Sequence, residues 1–191
     1  MIKKKKTRCT AKIRNGALVE KTDEAAYWLG FLMADGYVSS STNEIKLKLW
    51  PRDFDHIRKF GAYLGLPVER CKVYPKEASV TFSEKGVKNS LTSSGIGPQK
   101  TFTAEVKNPY LINNRFFWAG FIDGDGSLGK YEQNKGQTKF KISAISGSLK
   151  IMEQLKNFIF AKTNISITIA TVQKKNPNYL FKLTGKKAVR V

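Results

Sequence analysis

The sequence predicts an α+β fold of two pseudo-symmetric halves, each running αββαββα. Three observations predict it. First, a segment around Trp28 returns around Trp118: Gly30 matches Gly120, Phe31 matches Phe121, Asp35 matches Asp125 and Gly36 matches Gly126, always 90 residues apart. Second, each copy is followed by stretches that alternate apolar and polar residues, the pattern of strands with one buried face. Third, segments with apolar residues at three- and four-residue steps lie between those stretches, as amphipathic helices require.

In the first half Asp23 offers an N-cap for a helix that runs through Ala25, Ala26 and Leu29. Gly36 is positioned to end it. Ile45-Lys-Leu-Lys-Leu49 alternates, Asp53 to Leu64 has helical spacing, and Val73 with its neighbours and Ala78-Ser-Val-Thr-Phe82 supply the next strands. A helix from about Ser83 to Ser93 closes the half, and Gly95 to Pro109 connects it to the second. There the pattern repeats with a motif helix ending at Gly126, a strand Lys139 to Ser143, a helix Ser148 to Lys162, and strands Ile165 to Ile169 and Tyr179 to Leu183. Ile151, Leu155, Phe158 and Ile159 form the apolar stripe of that helix. Seven residues follow Thr184, so the last helix is expected to be short. The expected divisions are a basic segment 1–22, a first half 23–95, a connection 96–108 and a second half 109–191.

A chain of 191 residues can bury a sizeable core. Lysine and arginine number 34 against 15 acidic residues, a net charge of +19, and 41% of the residues are hydrophobic. Such a protein is too apolar for a disordered basic tail, and the usual ligand for its charge is a polyanion, most often nucleic acid. The longest apolar stretch, Phe116 to Ile122, is far short of the roughly 20 residues of a membrane span. The basic N-terminus (Lys3, Lys4, Lys5, Lys6, Arg8, Lys12, Arg14) has no apolar segment behind it, so it reads as a phosphate-contacting tail, not a secretory signal. Cys9 and Cys71 are too few for a disulfide framework or a four-ligand zinc site. A reducing compartment is expected: the cytoplasm of a bacterial or phage-infected cell, or an organellar matrix. His56 reads as an ordinary surface position on a helix.

The paired motif carries the chemistry. Gly30 and Ala34 form a small-residue strip on one helix, and Gly120 and Gly124 form one on the other, so the two backbones can approach closely. Glycine within a helix costs on the order of 1 kcal/mol relative to alanine, and using it at matching positions implies that the close approach matters. Packing by equivalent faces then brings Asp35 and Asp125 together at the helix C-termini. The macrodipole there disfavours carboxylates, and two of them repel each other further. A divalent cation relieves both penalties. Hard oxygen ligands and a phosphate substrate point to Mg²⁺ or Mn²⁺ and to metal-assisted phosphodiester hydrolysis, with Asp35 and Asp125 as catalytic and metal-binding residues.

Trp118-Ala-Gly-Phe-Ile-Asp-Gly-Asp-Gly126 and, more loosely, Trp28-Leu-Gly-Phe-Leu-Met-Ala-Asp-Gly36 resemble the signature of the LAGLIDADG homing endonucleases in their two-motif, single-chain form. Asp23 to Gly36 resembles the first-motif context of free-standing bacterial and phage members, and Gly97-Pro-Gln-Lys-Thr101 resembles their inter-domain segment. The resemblance covers about residues 20 to 185. It implies motif helices at a central pseudo-twofold interface, saddle-shaped antiparallel sheets lying on DNA, and a monomer that cuts both strands across the minor groove, leaving short 3′ overhangs. It places the metal-binding acids at Asp35 and Asp125 and adds the backbone carbonyls of Ala34 and Gly124. The family's first acid falls on Met33 in one copy and Asp123 in the other, the position of lesser importance.

Strand alternation supports a DNA-binding face independently. With Ile45, Leu47 and Leu49 packed under the helices, Lys46 and Lys48 face outward. With Phe140 and Ile142 buried, Lys139, Lys141 and Ser143 do the same. Arg70, Lys72, Tyr74, Ser79, Thr81, Ser83 and Lys182 can join these faces, which carry almost no acid and suit phosphate and major-groove contacts. Arg52 and Lys100 are candidate cationic helpers near the scissile phosphates. The expected partner is therefore a long duplex DNA site. The alternatives of the same fold are an RNA maturase acting on intron RNA and a DNA-binding protein that does not cleave. An intein-embedded domain is not expected, because no nucleophile opens the chain and no His-Asn pair closes it. A membrane-surface role is not expected either, because the basic residues lie on strands.

Overall fold

The computed structural model describes residues 12–133, 137–172 and 177–189, and its elements occur in the same order in both halves. The basic residues Lys3 to Lys6 and Arg8 lie outside the described residues. Arg14 is not part of a free tail: its guanidinium pairs with Glu20, and its Nε donates to the Tyr63 carbonyl oxygen at 2.8 Å.

Helix α1 spans Asp23–Asp35. Its cap is Thr22, not Asp23, with the threonine hydroxyl accepting from the Ala25 amide at 3.2 Å. Asp23 and Glu24 instead fill the first turn, where negative charge complements the helix N-terminus. The helix runs straight into β1 (Gly36–Val38), which pairs with β2 (Glu44–Leu49) so that Gly36 lies opposite Leu47. A 3₁₀ turn, Pro51–Asp53, leads into α2 (Phe54–Tyr63), whose buried face is Ile57, Phe60, Gly61 and Tyr63. Strands β3 (Lys72–Tyr74) and β4 (Glu77–Ser83) complete an antiparallel sheet in the order β1-β2-β4-β3, and α3 (Lys85–Ser93) buries Val87 and Leu91.

The connection carries a 3₁₀ turn, Lys100–Phe102, and a short helix α4 (Pro109–Ile112). Helix α5 (Arg115–Asp125) is capped by the Asn114 side chain and runs into β5 (Gly126–Gln133). Strand β6 (Gln137–Ser146), helix α6 (Leu149–Thr163), strands β7 (Ala170–Thr171) and β8 (Tyr179–Thr184), and helix α7 (Lys186–Val189) follow. The second sheet has the order β5-β6-β8-β7, the same as the first. Gly126 lies opposite Ala144, as Gly36 lies opposite Leu47, so the two halves share register as well as order. One continuous core joins them, from Leu18 and Phe60 to Phe117, Ile151 and Phe181.

Four expectations need correction. Ile165 to Ile169 alternates in burial, with Ile165 and Ile167 buried, but among the described residues it pairs with no strand; the ladder begins at Ala170. Burial of alternate side chains is enough to produce the periodic signal without a hydrogen-bonded neighbour. Phe140 lies on the same face as Ile142, yet it is 46% exposed, toward the end of β6 where the short helix α7 packs. Ser143 is buried on the opposite face, flanked in register by Ser127 and Lys182. Gly36 and Gly126 do end their helices, but in extended conformations (φ −73° and −114°), not left-handed ones. What demands glycine is space: a Cβ would lie 2.4 Å from the Leu32 carbonyl oxygen at Gly36 and 2.3 Å from that of Ile122 at Gly126.

Candidate functional site

Helices α1 and α5 cross where neither has a side chain. A Cβ on Gly30 would stand 1.8 Å from the Phe117 carbonyl oxygen, and one on Gly120 would stand 2.0 Å from that of Tyr27. Each glycine thus rests on the partner helix's backbone, reciprocally. One turn further on, a Cβ on Gly124 would meet the Ala34 Cβ at 2.4 Å and the Asp35 Oδ2 at 3.1 Å. The small-residue strips bring both helix ends, and with them Asp35 and Asp125, to one place.

The two carboxyls share that place uncomfortably. Burial and then the Asp35 charge push Asp125 up to about 7, with Lys100 opposing. Burial also raises Asp35, offset by Lys100, with Asp53 adding a smaller push upward. Lys100 is itself lowered by burial, while Asp125 and Asp35 hold it up. Its Nζ donates to the carbonyl oxygens of Gly36 at 2.6 Å and Ala34 at 3.2 Å. An ammonium at the C-terminal carbonyls of α1 is where the helix dipole favours a cation. The residue before it, Gln99, takes a left-handed conformation (φ 55°). Thus Lys100 reaches the pair, and the Ala34 carbonyl already accepts a hydrogen bond.

Burial of Asp125, reinforced by the Asp35 charge, has a measurable consequence. Asp125 keeps its proton to about 7 when folded and only to the ordinary carboxylate range when unfolded. The folded state therefore binds more protons between about pH 4 and pH 7, and the metal-free protein loses stability as pH rises through that window. Urea unfolding in EDTA is expected to give a lower midpoint at pH 8 than at pH 5. Asp125→Asn is expected to flatten that difference, and an unchanged pH dependence in the variant would contradict the assignment.

A cavity of about 780 Å³ opens beside Asp35, lined also by Lys48, Trp50, Arg52, Asp53, His56 and Asp123. A smaller one of about 280 Å³ holds Asp125 with Lys100, Thr101 and Gly147. Arg52 lies at the rim of the first, 3.8 Å from Asp53 and largely exposed. The sequence reading missed the polar chain inside that cavity. The Tyr27 hydroxyl donates to Asp123 at 2.7 Å and lies 3.4 Å from His56 Nε2. His56 is no ordinary surface residue: it stacks against Phe31 and Trp28 at ring separations of 4.5 and 5.0 Å. Burial lowers its pKa, which favours the neutral imidazole. The available signal was asymmetry within the repeat, since Tyr27 stands where the second copy has Phe117, and Asp123 stands where the first has Met33.

Both outer sheet faces have the expected register. Lys46, Lys48, Ser79, Thr81 and Lys72 share one; Lys139, Lys141, Ser143 and Lys182 share the other, but Ser79, like Ser143, is buried between its neighbours in register, Lys48 and Lys72, and is not the exposed contact expected of it. Glu77, which the sequence reading overlooked, also faces outward and pairs with Lys46 at 2.9 Å and Lys48 at 3.7 Å. Arg70 turns inward to the Thr81 carbonyl oxygen at 3.4 Å. Among the described residues no three of His, Cys, Asp or Glu converge as a metal site. Two half-buried carboxylates with hard oxygen donors nevertheless match the sparse protein ligation of Mg²⁺, which takes its remaining ligands from water and phosphate. Among the described residues no helix is long and apolar enough to cross a membrane.

No protein-family model matches the chain, and no curated protein matches it. Solved structures do. The LAGLIDADG homing endonuclease I-GzeII, in complex with its DNA target, superposes with a TM-score of 0.53 at 14% identity, covering 83% of this chain and 78% of the other. I-SmaMI, bound to uncleaved DNA in the presence of calcium ions, gives 0.54 at 13% identity, with coverages of 86% and 80%. The N-terminal LAGLIDADG domain of WhiA gives 0.55 at 14% identity, with coverages of 92% and 81%. The chain has the LAGLIDADG fold.

Proposed function

We propose that this protein is a site-specific DNA endonuclease that acts as a monomer on a long duplex, with Mg²⁺ or Mn²⁺ held by Asp35 and Asp125. The observation that carries the reading is the meeting of two half-buried aspartates at the ends of helices that cross through their glycines. A charge of +19 and two sheet faces carrying lysines at alternate positions supply the polyanion surface. Lys46, Lys48, Lys72, Lys139, Lys141 and Lys182 contact phosphates or groove edges. The Glu77 pairings with Lys46 and Lys48 are exchanged for phosphate when DNA binds.

The division of labour follows from the geometry. Ionised Asp35 and Asp125 form the oxygen cradle, with the backbone at Gly124 and Ala34 beside it. A bound Mg²⁺ supplies Lewis-acid stabilisation of charge developing on the phosphodiester. Lys100, whose charge acts on both carboxyls, places a fixed positive charge near a leaving or attacking oxygen, and Arg52 at the rim of the larger cavity grips a neighbouring phosphate. The two cavities flank the helix ends, one for each strand of a duplex.

One observation favours a second reading, a DNA-binding protein that does not cut: the Lys100 ammonium occupies carbonyls a metal would approach. An RNA maturase shares the same basic faces. The deciding experiment incubates purified protein with fragmented DNA in Mg²⁺ or in EDTA, and with structured RNA in parallel. Discrete fragments with 3′ overhangs in Mg²⁺ alone are the expected result. Tight duplex binding with no cutting in any divalent metal would overturn the enzyme and leave the binder.

A further inference from the structure

We infer that Trp50 and Phe102 are a pair of aromatic wedges that insert into the base stack of duplex DNA beside the two aspartates. The inference rests on the reading above only in taking duplex DNA as the ligand; it does not need cleavage.

The tryptophans show the anomaly. Trp28 and Trp118 occupy equivalent places in the motif helices and are 4% and 1% exposed, whereas Trp50 is 67% exposed. Trp50 follows the end of β2, at the rim of the cavity that holds Asp35, with Lys48, Arg52 and Lys76 around it. A large bare ring with three cations beside it, on a cavity that Asp35, Asp53 and Asp123 also line, suits a partner that is anionic outside and apolar within. Stacked bases between phosphate backbones have that character.

The pseudo-symmetry supplies an independent observation. Leu47 and Ala144 are equivalent by register, so β2 and β6 end at equivalent residues, Leu49 and Ser146. The residue equivalent to Trp50 is therefore Gly147, which has no side chain. An aromatic ring stands there nonetheless: Phe102 Cδ1 lies 3.0 Å from where a Gly147 Cβ would be, and Phe102 is 60% exposed. Its 3₁₀ turn also carries Lys100, and Lys100, Thr101 and Gly147 line the cavity with Asp125. Trp50 thus lines the Asp35 cavity, and Phe102 stands against Gly147, which lines both the Asp125 cavity and an adjoining one that Phe102 itself lines. The two rings are delivered from unrelated sequence positions, and the glycine at 147 makes room for the second.

Apolar side chains driven between base steps unstack them and kink the duplex. A kink between the two rings would carry the adjacent phosphates toward Asp35 and Asp125. It would also impose a preference for flexible pyrimidine–purine steps at the centre of the site, where no side chain need read a base.

Trp50 makes the test direct, because the other two tryptophans are buried. Acrylamide quenching of tryptophan emission is measured free and with saturating mixed-sequence duplex, with mobility shifts confirming complex formation and Trp50→Phe identifying the quenchable signal. DNA bending is read by end-to-end energy transfer for wild type, Trp50→Ala and Phe102→Ala, after circular dichroism confirms that the variants are folded. The expected results are protection of Trp50 in the complex, a smaller bend in both alanine variants, and affinity weakened about tenfold to a hundredfold in each. A stable duplex complex in which acrylamide still reaches Trp50, or in which both alanine variants bend DNA as the wild type does, would overturn the wedges and leave the DNA-binding reading intact. No duplex complex at any salt concentration would overturn both. Protection by single-stranded RNA but not by duplex would overturn the wedges in favour of stacking on unpaired bases.

Discussion

Asp125→Asn is expected to abolish metal-dependent strand cleavage, by at least about a thousandfold, while duplex binding in EDTA is unchanged or tighter. The size follows from losing a ligand to a cation that stabilises transition-state charge by several kcal/mol. The retained binding follows because one repelling anion has been removed from the DNA-facing side of a basic protein. Asp35→Asn is expected to behave alike. The same substitution has a second expected effect of opposite sign. Asp125 is held up near 7 by burial and by Asp35, so at pH 8 its ionisation costs folded-state stability, which the asparagine restores. A residue that stabilises when replaced and yet is essential for catalysis is a functional one. If Asp125→Asn cut at the wild-type rate in Mg²⁺, the paired-carboxylate site would be wrong, whatever the DNA affinity. The measurement is single-turnover cleavage of a fragment identified with the wild type, alongside a mobility shift and urea unfolding.

Gly30→Ala is expected to destabilise the protein by roughly 3 kcal/mol or more. Helix propensity alone predicts the reverse, a gain of about 1 kcal/mol, so the sign decides between two accounts. The methyl would stand 1.8 Å from the Phe117 carbonyl oxygen, 2.7 Å from its carbon and 2.9 Å from the Phe121 nitrogen. Those are backbone atoms, and no rotamer change moves them aside. The helices must separate, and the close packing through Gly120 and Gly124 goes with it. Gly120→Ala, facing the Tyr27 carbonyl oxygen at 2.0 Å, is expected to cost as much. Because both substitutions open one interface, the double variant is expected to cost clearly less than the sum of the two. Urea denaturation followed by near-ultraviolet circular dichroism of the buried Trp28 and Trp118 measures it. A Gly30→Ala protein as stable as wild type would show that the helices do not cross there.

The candidate site residues divide into those whose placement was legible along the chain and those whose placement was not. Asp35 and Asp125 were legible because a repeat marks equivalent positions, and because a carboxylate at a helix end calls for a compensating charge. Lys46, Lys48, Lys139 and Lys141 were legible because alternation with buried apolar residues settles which face a strand side chain takes. Glu77 was not: it precedes the first apolar residue of β4, and only its register beside Lys46 and Lys48 shows an acid among the lysines. Ser79, Ser143 and Phe140 were given the right faces but the wrong exposure. Alternation reports the direction of a side chain, while exposure depends on which other elements cover it.

Sequence alone was enough for the α+β class, the repeated motif helices, the glycine-lined helix interface and the basic outer faces, but it located neither β1 nor β5, the strand that follows each motif helix. Each feature it did locate is written in local spacing: period two, period three and four, and a repeat at a constant separation. Tertiary structure alone decided that Lys100 reaches the carbonyls of Ala34 and Gly36, 66 and 64 residues away. It alone joined Tyr27 to Asp123 across 96 residues and set Phe102 over the glycine that stands where Trp50's counterpart would be. The reason is physical. Local periodicity constrains the direction of a side chain relative to its own strand or helix, whereas contact between distant segments is set by how whole elements pack, and no local pattern encodes that.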